Sequence, residues 1–200
     1  MTEWALPPDE ARDFHHLLAE AEATNSPAAR FLTGGPWRSF QARYREINDL
    51  HKQMLRVSAA VEAMPAGELR ERALDHLYRG QSNDCYWHGL FGGVYIVHMR
   101  LATLHHLIAA EDLATWDAVA SGTADYDLDG IDEVLIGTRG QGVLIDVAEG
   151  GGIGAWDLRA ARVALASVLR RRPEAYHEQL REMDEERAVA AQPGEQGAVN

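Results

Sequence analysis

Ile47-Asn48-Asp49-Leu50-His51-Lys52-Gln53-Met54-Leu55-Arg56-Val57-Ser58-Ala59-Ala60-Val61-Glu62-Ala63-Met64 carries the clearest pattern in the chain. Ile47, Leu50, Met54, Val57, Val61 and Met64 advance by three or four positions each time, which lays one apolar stripe along a helix. Pro65 and Gly67 stop it. Three flanking segments share the spacing. Glu68 to Arg79 places Leu69, Ala73, Leu74 and Leu77 on one face and ends at Gly80. Val94 to Ala110 carries Val97, Leu101, Leu104 and Ile108 as its stripe. Asp9 to Thr24 has Asp9 at its N-cap and Phe14, Leu17 and Leu18 turned inward. Short connections between such helices predict an antiparallel bundle.

The pattern changes near residue 120. Ile131–Gly137, Val143–Val147 and Ile153–Leu158 are short β-branched runs separated by glycine-rich turns at Gly140–Gly142 and Gly150–Gly152. They predict a three-stranded meander. Arg159 to Glu182, rich in Ala and Leu, returns to helical character, and Ala188 to Asn200 reads as a frayed tail. The expected class is α+β, an antiparallel helical bundle followed by a small, incomplete antiparallel β-sheet region and a C-terminal helix. A three-stranded sheet leaves two open edges and is marginal without a covering partner.

With 200 residues, 46% of them hydrophobic, the chain can bury a core of one full domain or two small ones. No run approaches the ~18 apolar residues of a membrane span. Pro7-Pro8 and the acids after them are not the apolar core of a signal peptide. A formal charge of −12 repels nucleic acid and anionic membrane surfaces, which makes both poor partners. The single cysteine, Cys85, permits no internal disulfide and points to a cytoplasmic location.

Two stretches could carry chemistry. Gly80-Gln81-Ser82-Asn83-Asp84-Cys85-Tyr86-Trp87-His88-Gly89-Leu90-Phe91-Gly92-Gly93 sets amide, carboxylate, indole and imidazole groups between two helices. Asn83, Asp84, Trp87 and His88 are the tools of sugar recognition, because amides and carboxylates pair with vicinal hydroxyls while aromatic faces cover the C–H side of a pyranose. The same composition also suits a packed helix junction, with Trp87 and Phe91 in the core and Asn83 as a cap. Cys85 and His88 have nucleophile–base spacing but no identified orienting group. In Asp125-Tyr126-Asp127-Leu128-Asp129-Gly130-Ile131-Asp132-Glu133, alternating carboxylates precede a glycine, as oxygen ligands do at the start of a calcium loop. The candidate ligands are Asp125, Asp127, Asp129 and Glu133. Ile136 stands where an EF-hand needs Glu, so the loop is not an EF-hand, and an acidic turn into an edge strand is the alternative. Nine histidines include the pairs His15-His16 and His105-His106, whose side chains diverge on a helix, and no zinc motif is present.

Several blocks in register carry a resemblance. Thr2-Glu3-Trp4-Ala5-Leu6-Pro7, Phe31-Leu32, Gly34-Gly35, Trp37-Arg38, Asn48, His51-Lys52 and Met54 to Ser58 resemble glycoside hydrolase family 57, in the branch of 4-α-glucanotransferases and related α-amylases. So do Asn83 to Gly93, Asp127 to Glu133 and Arg171 to His177. The resemblance runs over most of residues 2 to 180. It implies a parent with a catalytic (β/α) barrel, then a helical domain, then a β-sandwich. This chain is expected to supply the helical domain over 1–117, the start of the sandwich over 118–182 and a flexible tail over 183–200. The family's Glu nucleophile and Asp acid/base lie in the barrel, so no catalytic residue is assigned here. Retaining chemistry needs two carboxyls ~5–5.5 Å apart on a rigid scaffold, which the helix-surface acids of this chain do not suggest.

The resemblance implies that the helical domain forms one wall of the cleft for an α-glucan or maltooligosaccharide. Asn83, Asp84, Trp87 and His88 would line it, with Trp4 and Trp37 as weaker candidates, and the catalytic barrel would be the protein partner. No cofactor is required; calcium is the candidate ion. The alternative is a free-standing maltooligosaccharide-binding accessory module stabilised by calcium.

Overall fold

A computed structural model describes residues 5–89, 92–115, 121–170 and 172–190. They form six α-helices, a two-residue hairpin and a five-stranded antiparallel sheet, an α+β fold. The chain divides into two compact units, Tyr44–Arg170 and the pair of end segments Met1–Arg43 with Arg171–Asn200.

The end segments hold α1 (Pro8–Ala23), α2 (Trp37–Arg43) and α6 (Ala175–Ala190). Pro8 opens α1 at its first position, where a missing N–H costs nothing. The cap position falls to Pro7 and Asp9 sits in the first turn, paired with Arg12, so the expected Asp9 cap does not form. α1 buries Ala11 and Ala21, whereas Leu17, expected inside, is 56% exposed. α2 buries Phe40, with the Trp37 ring stacked on it at 5.2 Å. Arg43 donates to the Leu6 carbonyl and pairs at 2.5 Å with Glu174, whose own N–H donates to His177 Nδ1 at 3.0 Å.

In the larger unit, α3 (Arg45–Glu62) buries Ile47, Leu50, Val57 and Val61, four members of the predicted stripe. Full burial of such a side chain stabilises by about 1.5–3 kcal/mol. α4 (Glu68–Gly80) adds Ala73 and Leu77 to this core. Gly80 lets it approach α5 (Val97–Thr115) closely, since a Cβ there would lie 2.6 Å from Leu107 Cδ2. α5 buries only the C-terminal part of the expected face, with Ile108 inside and Leu104 half-buried. Val97 and Leu101 are exposed, and Arg100, Thr103, Leu107 and Ile108 point inward. An Ala- and Leu-rich helix of this kind is apolar on most sides, so the polar partners choose its rotation. Arg100 donates to the Val94 carbonyl at 2.5 Å and to Ser167 Oγ at 2.8 Å.

The sheet runs in chain order through β3 (Ser121–Ala124), β4 (Glu133–Gly137), β5 (Gln141–Asp146), β6 (Gly152–Leu158) and β7 (Val163–Ala166); the hairpin strands β1 (His88–Gly89) and β2 (Gly92–Gly93) precede them. The meander is therefore five strands where the sequence pattern predicted three. β3, Ser-Gly-Thr-Ala, lacks any apolar alternation, and β7, Val-Ala-Leu-Ala, reads locally as helix. Pairing with β4 and β6 makes them strands, an instance of sheet context overriding propensity. The helix expected over 159–182 is thus replaced by β7, an irregular stretch, and α6 from Ala175. No described helix is long and apolar enough to cross a membrane.

Candidate functional site

The residues between α4 and α5 form a tight junction. Asn83–Tyr86 make one 3-10 turn, and Tyr86 donates its hydroxyl to the Gly80 carbonyl at 2.5 Å, folding the turn back on the end of α4. β1 then pairs with β2 through His88↔Gly93 and Gly89↔Gly92. The backbone N–H of Val94 donates to Trp87 O at 3.0 Å. Gly93 has φ +89°, and a Cβ on it would stand 2.3 Å from Trp87 O and 2.6 Å from His88 Cα. No side chain fits there, so glycine fixes the approach of the two strands. Leu90 and Phe91 lie outside the described residues, as does Trp4.

The junction sorts its polar groups in two directions. Asn83 and Asp84 are exposed, Ser82 Oγ donates to Asp84 Oδ2 at 3.3 Å, and the Trp87 side chain is 38% exposed. His88 is 1% exposed and lies edge-on to Tyr44 at 4.2 Å, with Tyr95 at 5.2 Å. Cys85 is buried, and burial raises its thiol above the ordinary value, which keeps it protonated and unsuited to act as a nucleophile.

A second feature was not legible in the sequence. A cavity of about 330 Å³ lies between α3, α5 and one face of the sheet, entirely within the larger unit. Gly142 and Gly154 contribute to its floor, and Asp49, Gln53, Arg56 and Asp157 to its walls. Burial pushes Asp49 and Asp157 up to about 7 each. Gln53 donates to Asp157 Oδ2 at 3.2 Å and, with Arg56, offsets part of that rise. The available signal was the polar pair Asp49 and Gln53, one helical turn apart beside Leu50.

The acidic loop borders this cavity through Asp127 and Glu133. Asp125, Asp127 and Glu133 each bring a carboxylate oxygen within 4.8 Å of the other two. Asp129 stands apart from that trio and accepts from the Ile131 N–H at 2.8 Å. Asp125 accepts from the Asp129 and Gly130 amides at 2.9 and 3.0 Å. Arg45, at the start of α3, meets Asp127 at 3.4 Å, Glu149 at 3.2 Å and Asp146. Asn48 Nδ2 donates to the Asp127 carbonyl at 2.6 Å.

Known proteins are similar to this sequence. The family model described as alpha-amylase/4-alpha-glucanotransferase, middle domain, matches residues 35–114, and the C-terminal model of the same family matches 125–198. α-Amylase 1 of Dictyoglomus thermophilum is 36% identical over 90% of this chain and 26% of its own length. The 4-α-glucanotransferase of Thermococcus kodakarensis is also 36% identical, over 89% of this chain and 26% of its length. The crystal structure of the Thermococcus litoralis 4-α-glucanotransferase superposes with a TM-score of 0.77 at 32% identity, over 88% of this chain and 27% of that one. The chain belongs to the α-amylase/4-α-glucanotransferase family.

Within the family's terms, the junction holding Asn83, Asp84, Trp87 and His88 lies in the middle domain, and the acidic loop and strands β4 to β7 lie in the C-terminal domain. The chain spans about a quarter of the length of the relatives it matches.

Proposed function

We propose that these residues are the non-catalytic portion of an α-glucan-processing enzyme of the 4-α-glucanotransferase or α-amylase type. The helical part forms one wall of the substrate cleft, beside a catalytic domain of the same enzyme. Asn83, Asp84 and Trp87 meet the glucan, and His88 braces them from beneath. The observation that carries this reading is the partial exposure of Trp87 on a backbone that Gly93 and the Tyr86 hydroxyl hold in place. Nonpolar side chains of this size are ordinarily buried; an indole held out beside an exposed amide and carboxylate suits a pyranose, which offers a C–H face and vicinal hydroxyls. A fixed wall lowers the ordering cost of a flexible glucan chain on binding. Its contribution to the reaction is orientation of substrate toward groups that other parts of the enzyme supply.

Tryptophan fluorescence of the chain titrated with maltooligosaccharides tests the reading. A saturable change that disappears in Trp87→Ala, with the far-ultraviolet circular dichroism retained, is the expected result. Because Trp156 is also partly exposed, Trp156→Phe serves as the control and is expected to leave the change intact. A signal absent at millimolar sugar, or one that persists in Trp87→Ala, contradicts the assignment.

A further inference from the structure

The loop between β3 and β4 gathers carboxylates that the glucan reading does not use. Glu133 decides what they form. Its side chain is 2% exposed; Oε2 accepts the Tyr126 N–H at 2.7 Å and the Asp127 N–H also faces the carboxyl, but Oε1 is buried without a well-formed hydrogen bond. A buried carboxylate oxygen is ordinarily satisfied by a donor or a cation. The nearby cation, Arg45, is shared among Asp127, Asp146 and Glu149 and reaches Asp127 only at 3.4 Å. The cavity behind the loop deepens the deficit, its lining carrying seven carboxyls against four guanidiniums.

We propose that Asp125, Asp127 and Glu133 bind a calcium ion. All three offer hard oxygen ligands, which select calcium or magnesium over zinc. Two oxygens on one ion are separated by at most twice the metal–oxygen distance, about 4.6–5.2 Å for calcium and about 4.0–4.2 Å for magnesium. The three ligand oxygens lie within 4.8 Å of one another, inside the span that one calcium ion can bridge. Asp129 lies outside that trio and accepts from the Ile131 N–H. The ion ties the loop to the first residue of β4, and Asn48 and Arg45 extend that tie to α3. This inference is independent of the glucan reading.

Terbium, which substitutes for calcium and is sensitised by a nearby ring such as Tyr126 in the loop, is the probe. The full chain is expected to show saturable terbium luminescence under aromatic excitation, displaced by calcium more readily than by magnesium. Its thermal midpoint is expected to rise with calcium and fall with chelator. Loss of an outer partner alone weakens metal sites by roughly 10–100-fold, so Asp125→Asn and Glu133→Gln are each expected to weaken binding by at least that much. Asp13→Asn, on α1, leaves binding unchanged. Asp125→Asn retains an amide oxygen for the loop N–H groups and so keeps the fold readable by circular dichroism. Luminescence that does not saturate, that survives both ligand substitutions, or a midpoint indifferent to calcium and chelator overturns the proposal.

Discussion

The Nδ1 atoms of His76 on α4 and His106 on α5 lie 2.9 Å apart. Such a contact requires one ring nitrogen to donate and the other to accept, so the two imidazoles cannot both be protonated in it. His105, Arg162, Arg79 and Asp75 face the pair as well, and burial followed by the neighbouring positive groups lowers both His76 and His106 from the ordinary histidine value.

The sign of the resulting pH dependence is fixed. Both folded values lie below the unfolded value of about 6.5, so the unfolded chain binds more protons as the medium acidifies. The pair's stabilising contribution is complete above that value and is lost as pH falls from about 6.5 through the lowered folded values. His106→Leu is expected to flatten the fall in thermal midpoint between neutral pH and mildly acidic pH. An unchanged pH profile in the variant removes the pair as its cause.

Asp157 titrates with the opposite sign. Its folded value, raised to about 7 by burial, lies above the unfolded value of about 3.9, so stability declines as pH rises from about 4 through 7. Asp157→Asn keeps the shape and can still pair with Gln53. It is expected to raise the thermal midpoint by several degrees at pH 8 and to change it little at pH 5. Equal effects at both values would show that ionisation of Asp157 is not the destabilising element.

Two glycine substitutions should differ in cost. A methyl group at Gly93 meets backbone, Trp87 O at 2.3 Å, in a conformation with φ +89°. One at Gly80 meets the flexible end of Leu107 and gains up to about 1 kcal/mol of helix propensity. Gly93→Ala is expected to cost about 2–3 kcal/mol in urea denaturation, and Gly80→Ala less. The reverse order contradicts the account of the hairpin.

Arg45 joins three carboxylates that are far from it in sequence, and two of them, Asp127 and Asp146, are buried. Arg45→Met leaves both without their cation. Removing one partner from a fully buried pair costs about 3–5 kcal/mol; for a guanidinium that remains partly in solvent we expect about 2 kcal/mol. A loss below half that amount would mean that solvent already carries the charge.

The sequence makes α3 readable because burial follows a single stripe; on α4 Ala73 and Leu77 of the expected face are buried while Leu69 is exposed, and Gly80 marks its end. α5 hides its inner face because apolar residues surround it, and hydrogen bonds from Arg100 to Val94 and Ser167 set its rotation. β3 and β7 are strands by partnership; nothing in Ser-Gly-Thr-Ala or Val-Ala-Leu-Ala demands it. Asn83, Asp84 and Trp87 stand out by residue type, but only the packing of Tyr44 and Tyr95 distinguishes the buried His88 from them. The acidic loop was visible as alternating carboxylates, while the separation of Asp129 from Asp125, Asp127 and Glu133 depends on which oxygens the loop amides occupy. The cavity, the Arg45 contacts and the His76–His106 contact join residues 30 to 104 positions apart, a distance over which local pattern carries no information.

The most direct test of the proposed glucan wall is to follow the tryptophan indole N–H resonances of the chain during titration with maltoheptaose. The Trp87 indole is predicted to shift saturably in the millimolar range while that of Trp156 stays in place. No indole shift, or a shift confined to tryptophans other than Trp87, would contradict the account.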